Sequence, residues 1–339
     1  MYTARQRRPG RLALLLCVSV ASLGLAACSG ATAEPGADSQ TSAASEGDAD
    51  TGDKPKIGLV MKSLSNAFFK QMQDGAEKYA DEHADEFEFK AVGMKDERDF
   101  VAQVDAVENF IAEEYDIIVV APADSKAMVT PLKKAMDAGI TVINIDVPLD
   151  PDAMKEAGID LPFFGPDNVE GARLAGEVLA EEIGEGGKVF IIEGNPEADN
   201  AKQRKEGFEM AVEAGKLEVI ASETAHWETE EANTLVTNLL NKYPDVQGIM
   251  AANDSMALGV ITALDAAGKS GTVKVVGFDN IPPVKELVQN GKLLATVDQF
   301  GAEMAVFGIE YGLKTRAGET FEGWTKTDIR LVDKSNIDE

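Results

Sequence analysis

Lys56-Ile57-Gly58-Leu59-Val60-Met61-Lys62-Ser63-Leu64-Ser65-Asn66-Ala67-Phe68-Phe69 holds the fold in outline. Ile57 to Met61 is an unbroken apolar run of strand length, as expected of a strand covered on both faces. Polar residues follow at once. Phe69, Met72, Ala76 and Tyr79 then fall at helical spacing. A strand, a polar turn and a helix make the repeating unit of a parallel sheet.

The unit recurs along the chain. Phe87 to Val92 alternates as a strand does, and Val101, Val104, Val107 and Ile111 mark a helix. Ile117 to Ala121 is a strand, Met128, Leu132 and Met136 lie on a helix ending near Gly139, and Thr141 to Ile145 is a fourth strand. A second series begins with a helix through Leu174, Val178 and Leu179, then a strand at Val189 to Ile192. A helix follows Gln203, a strand runs from Leu217 to Ala221, and Leu235, Val236, Leu239 and Leu240 lie on another helix. Gly248 to Ala251 is a strand, Ala257 to Leu264 a helix, and Val273 to Gly277 a strand. Two such series in succession predict an α/β fold of two doubly wound parallel-sheet lobes.

Upstream of this pattern the composition changes twice. Arg5, Arg7, Arg8 and Arg11 precede an apolar run from Leu12 to Ala27, which is too short and too rich in small residues for a stable membrane span. Leu25-Ala26-Ala27-Cys28 resembles the cleavage box of bacterial lipoproteins. Residues 1–27 are then a signal peptide, and Cys28 becomes the lipid anchor. An ordinary secretory cut near Ala27 is the simpler alternative. The chain has two cysteines, Cys17 and Cys28. Removing the signal leaves one sulfhydryl, so an internal disulfide, a cysteine zinc site and a catalytic Cys–His pair are all excluded. Residues 28–53 are poor in apolar groups, so the expectation is a disordered tether. About 280 residues of globular sequence follow from Lys54, a length commonly divided between two lobes.

The net charge is −27, and loss of the four signal arginines makes it more negative. So acidic a chain repels phosphate backbones, and nucleic acid is not an expected partner. The acidity is read as serving solubility; it does not identify a cationic ligand.

In doubly wound sheets, ligands bind beyond the carboxyl ends of the strands. Those positions carry Lys62, Asn66, Phe68 and Phe69, then Asp146, then Gly194, Asn195 and Arg204, then Asn253 and Asp254, then Phe278, Asp279 and Asn280. Amides and carboxylates can each bond two neighbouring hydroxyls. Arginine supplies a planar fork of donors. Aromatic rings pack on apolar C–H faces. The set suits a carbohydrate or polyol, although Asn and Asp after a strand often do no more than cap a helix, and Phe68 and Phe69 could be core residues.

These residues resemble the periplasmic sugar-binding proteins of the ribose-binding type, the solute receptors of ABC importers. Matching segments are Ser63–Phe69, Pro122–Ser125, Asp167-Asn168, Arg204–Phe208, Asn253–Gly259, Gly277–Asp279 and Gly291–Gln299, which span nearly all of the chain after Lys54 in the family's order. The resemblance implies crossovers near Pro166, Gln299 and Thr327. One lobe is then 54–166 with 300–326, and the other 167–299 with 327–339. It implies that Asn66, Asp146, Arg204, Asn253, Asp279 and Gln299 hydrogen-bond a sugar that Phe68, Phe69, Trp227 and Phe278 sandwich. It further implies hinge closure around the ligand and docking of the closed form on a permease, with the protein exported, monomeric, and held by lipid at the outer face of the cell membrane or on the periplasmic side. No cofactor or metal is implied.

Four pocket positions depart from the ribose pattern: Ala121 stands where an amide is expected, Val147 where an arginine is, and Lys62 and Asn195 bring new polar groups. Trp227 is also a larger platform than the family's Phe. These changes favour a neutral polyhydroxy ligand other than ribose. A four- or five-carbon sugar alcohol is the first expectation, and another pentose or a hexose the second.

No nucleophile elbow, phosphate-binding loop or dinucleotide fingerprint occurs. Asp146 and Asp279 could pair as in a glycosidase, but Arg204 is expected to hold both ionised, so an enzyme is not expected. A sugar-responsive repressor would need a DNA-reading helix-turn-helix where the export signal stands. A lipid-anchored receptor for a signalling partner remains the alternative to a transport role.

Overall fold

The computed structural model of the protein describes residues 54–338. The signal expected at 1–27, the anchor expected at Cys28 and the tether expected at 28–53 lie outside the described residues.

The first sheet is built from β1 (Lys56–Ser63), β2 (Glu88–Met94), β3 (Ile117–Val120), β4 (Thr141–Ile145) and β5 (Phe163–Gly165). Its helices are α1 (Ala67–Glu82), α2 (Phe100–Ala112), α3 (Val129–Asp137) and α4 (Pro151–Ala157). The chain then enters the second lobe through α5 (Asn168–Ile183). There β6 (Lys188–Glu193), β7 (Glu218–Thr224), β8 (Gly248–Ala251), β9 (Lys274–Val276) and β10 (Ala295–Asp298) alternate with α6 (Asp199–Gly215), α7 (Thr229–Lys242), α8 (Asp254–Ala266) and the short α9 (Lys285–Gln289). It returns to the first lobe for α10 (Gly301–Arg316) and β11 (Trp324–Lys326), and ends in the second sheet with β12 (Arg330–Asp333). The sheet orders are β11-β5-β4-β3-β1-β2 and β12-β10-β9-β8-β6-β7. All pairings between these strands are parallel except β10 with β12, where Ala295 faces Asp333.

The apolar pattern explains the placement. The continuous run in β1 lies between β2 and β3, with Ile57 paired to Phe89 on one side and Ile117 on the other. The more polar β2 and β7 take the edges. Ile117 and Val119 share a core with Phe69, Met72 and Ile309, whereas Ile118 and Val120 pack with Phe110 and Leu132 on the opposite face. Burying a ring such as Phe110 contributes about 1.5–3 kcal/mol. Gly58 makes that burial possible, since a Cβ there would lie 2.4 Å from the Phe110 ring. Helix α10 lies on β3 and β4 in the same way: a Cβ at Gly308 would meet Val119, and one at Gly312 would meet Ile117, each at 2.6 Å.

The chain therefore passes between the sheets at 166–167, 299–300 and 327–329. Two passages are tied together: Thr327 N–H donates to Gly165 O at 3.1 Å, and Lys326 pairs with Asp167 at 2.6 Å.

Candidate binding site

On the first lobe, β1 delivers Lys62 and the following turn delivers Asn66. The Asn66 Oδ1 accepts the Phe68 N–H at 3.0 Å and caps α1. Its Nδ2 donates to Glu97 Oε1 at 2.9 Å. Lys62 Nζ lies 3.3 Å from Glu97 Oε2, 5.1 Å from the Phe69 ring centre and 5.3 Å from that of Trp227. Phe68 and Phe69 meet edge to face at 5.1 Å. Asp146 follows β4 with φ +62°, and its Oδ2 is buried without a partner.

On the second lobe, Arg204 projects from α6. Its Nε donates to Asn168 Oδ1 at 2.9 Å, and its Nη1 donates to Ala252 O at 2.9 Å and Asp279 Oδ1 at 3.2 Å. Gln299 Nε2 donates to the same Asp279 oxygen at 2.7 Å. Asn253 caps α8 by accepting the Met256 N–H at 2.9 Å. Trp227 has φ +72° and lies flat on Gly194, where a Cβ would be 2.1 Å from the ring.

These side chains surround a small cavity, with about 220 Å³ of space free of protein atoms, part of it open to solvent. Of the residues expected at the site, Lys62, Asn66, Phe68, Phe69, Asp146, Arg204, Trp227, Asn253, Asp279 and Gln299 line it. Asn66 and Asn253 both cap a helix and face the cavity, because a cap uses only part of an amide's bonding capacity. Two expected residues are not on the wall. Phe278 lies behind Arg204, its ring centre 3.7 Å from the guanidinium carbon, so it steadies the arginine. Asn195 Nδ2 donates to Ala123 O at 3.3 Å in the other lobe.

Two residues escaped sequence reasoning. Asn200, on the first turn of α6, lines the cavity with an unpartnered buried Oδ1; placing the helix start at Asp199 rather than after Gln203 would have found it. Glu97 sits in the charged run 95–99, which reads as a solvated loop, yet it is only 1% exposed.

Burial dominates the electrostatics. It pushes Asp279 up to about 7, with the Asp146 carboxylate adding to the rise and Arg204, Gln299 and Lys62 opposing it. Burial likewise raises Asp146 against Lys62 and Arg204, and Glu97 against Lys62 and Asn66. Asp254, held by Thr296 and the Ile281 N–H, is raised by burial and by Asp279. At Asp279 loss of hydration outweighs the Arg204 guanidinium, which corrects the expectation that Arg204 holds this carboxylate well ionised.

The cleft is shut. Ser255 Oγ donates to Asn66 Oδ1 at 3.1 Å, and the Glu97 N–H to Glu228 Oε1 at 3.3 Å. Ser125 N–H donates to Glu197 O at 3.0 Å, and Ser125 Oγ accepts the Asp199 N–H at 3.0 Å. Arg98 pairs with Glu231 at 2.9 Å. Each contact joins one lobe to the other. The cavity between them offers hydrogen-bond partners on several sides and aromatic faces at Phe68, Phe69 and Trp227, an arrangement able to enclose a small polyhydroxy molecule.

Residues 57–319 match the family model described as a periplasmic binding protein domain. The chain is 48% identical to the D-ribose/D-allose-binding protein of Pseudomonas aeruginosa over 84% of this chain and 90% of that one. A solute-binding protein structure from Burkholderia multivorans, with an unknown ligand represented as alpha-D-erythrofuranose, is 44% identical with a TM-score of 0.80, covering 83% of this chain and 99% of that one. One from Actinobacillus succinogenes with bound D-allose is 39% identical with a TM-score of 0.80, covering 84% and 99%. With sheet order, strand-end cavity and family model in agreement, the chain belongs to the periplasmic binding protein family.

Proposed function

We propose that the protein is the extracytoplasmic receptor of an ABC importer, held to the membrane by lipid on Cys28, and that it closes around a monosaccharide of the ribose or allose type. One observation carries the ligand class. Asp146 Oδ2, Asn200 Oδ1 and Gln299 Oε1 are buried acceptors without partners, and Trp227 Nε1 is a buried donor without one. All four residues line the same cavity. Buried polar atoms left unpaired cost about 1–3 kcal/mol each, and hydroxyl groups satisfy both kinds. The names borne by the relatives favour an aldose over a sugar alcohol; allose, a hexose, falls within the second expectation from sequence, whereas ribose is the sugar that both expectations set aside.

The experiment is a thermal-shift and calorimetric panel on the full chain in detergent, with D-ribose, D-allose, tetritols and pentitols. A ligand at a hundredfold excess over its Kd stabilises the folded form by about 2.7 kcal/mol, so the expected result is a rise of several degrees with an aldose. A response confined to the sugar alcohols restores the first expectation, and no response to any compound overturns the ligand class. For the anchor, Cys28→Ser should abolish incorporation of a labelled fatty acid; unchanged labelling overturns that assignment.

A further inference from the structure

Within the run Lys95-Asp96-Glu97-Arg98-Asp99, Glu97 alone is buried. Its partner Lys62 is 3% exposed. A buried ion pair is seldom more stable than apolar residues of the same volume, so stability alone does not account for this one. The details of the contact do. Glu97 Oε1 is engaged by Asn66. Glu97 Oε2 stands at ion-pair distance from Lys62 but out of line for a hydrogen bond. Among the described residues no aligned acceptor takes the Lys62 N–H groups, and Lys62 lines the cavity. Its charge is thus balanced by Glu97 and flanked by the Phe69 and Trp227 rings, while its donors remain available to a ligand hydroxyl.

We infer that Glu97 is a positioning residue: it holds Lys62 and Asn66 in their cavity-facing orientation and makes that orientation depend on closure of the cleft. The inference rests on the ligand reading above. The dependence on closure comes from three contacts with the second lobe. The Glu97 N–H reaches Glu228, Asn66 Oδ1 receives the Ser255 hydroxyl, and Trp227 covers Lys62. Opening the lobes removes all three together, so a sugar that engages Lys62 and Asn66 finds them fully arranged only in the closed form and selects that form.

The test is a cycle of Glu97→Gln, Lys62→Met and the double variant in the full chain, read by calorimetric titration with D-allose and D-ribose and by melting temperature. Glutamine keeps the acceptor for Asn66 and removes the charge. Glu97→Gln should weaken the tighter-binding sugar tenfold or more, yet by less than threefold when added to Lys62→Met, because interacting residues are not additive. Lys62→Met should lower the melting temperature by leaving a buried carboxylate unpaired, and adding Glu97→Gln should recover at least half of the loss. Folded Glu97→Gln protein that binds within twofold of wild type overturns the inference, as do losses that multiply in full. Should Glu97→Gln alone fail to fold, the double variant compared with Lys62→Met decides, and no recovery of melting temperature overturns it. A wild-type chain that binds neither sugar removes the reading beneath the inference, which is distinct from a wild-type chain that binds while Glu97 is inert.

Discussion

Asp279 spends a single oxygen on the protein: Arg204 and Gln299 both donate to Oδ1. Removing either side of the Arg204–Asp279 pair leaves buried polar groups unsatisfied. Asp279→Ala and Arg204→Ala should each cost roughly 2–4 kcal/mol of sugar affinity, in line with truncated buried charge pairs. Calorimetry on folded variants showing less than a threefold loss for both places the ligand elsewhere. At this scale the sequence was informative for polar residues at or just past a strand's carboxyl end, as with Lys62, Asp146 and Asn253, though Asn195 shares that position without reaching the wall. It was uninformative for Glu97, because one buried carboxylate among exposed charged neighbours has no local signature. Phe278 was misplaced for a related reason: strand-end position says that a ring is near the site, not whether the ring faces the ligand or an arginine.

Among the elements, the central strands and amphipathic helices were legible, whereas β5, α4 and α10 were not. Phe163–Gly165 is too short to show a period. Helix α4 has no buried face, so its Asp150 cap and Pro151 start had no apolar stripe to support them. The buried stripe of α10 includes Gly308 and Gly312, residues that weaken a helix pattern while allowing contact with β3 and β4. The loops after β6 and β7 meet in the same close manner where Trp227 lies on Gly194. Gly194→Ala should push the indole into the cavity. Overpacking of this kind costs about 1–3 kcal/mol, so the variant should melt at a lower temperature and bind sugar at least tenfold more weakly. Wild-type affinity in this variant shows that the ring is not part of the ligand wall.

For the molecule as a whole, the raised carboxylates make empty closure sensitive to pH. Burial in the closed form holds Asp279 at about 7, above its ordinary value near 3.8; opening the cleft readmits water and lowers it, so the closed form binds more protons than the open form below about 7. By linkage, closure without ligand is favoured in acid and loses stability as pH rises through about 7. Asp146 and Glu97 shift in the same direction. Small-angle scattering of the ligand-free protein should show a smaller radius of gyration at pH 5 than at pH 8, with the difference reduced in Asp279→Asn. Identical profiles at both values exclude coupling of closure to these groups. Saturating sugar should give the compact profile at both.

The threefold passage of the chain between the sheets also governs biosynthesis. The first sheet receives β11 at residues 324–326 and the second receives β12 at 330–333. Until α10 arrives, the face of β3 and β4 carrying Val119 and Ile145 is only partly covered. Both halves therefore stay unfinished until the last stretch of polypeptide is made. Little of the chain can thus lock into its final form early. The same wiring means that a stop codon shortly before position 324 leaves both halves incomplete rather than sparing one.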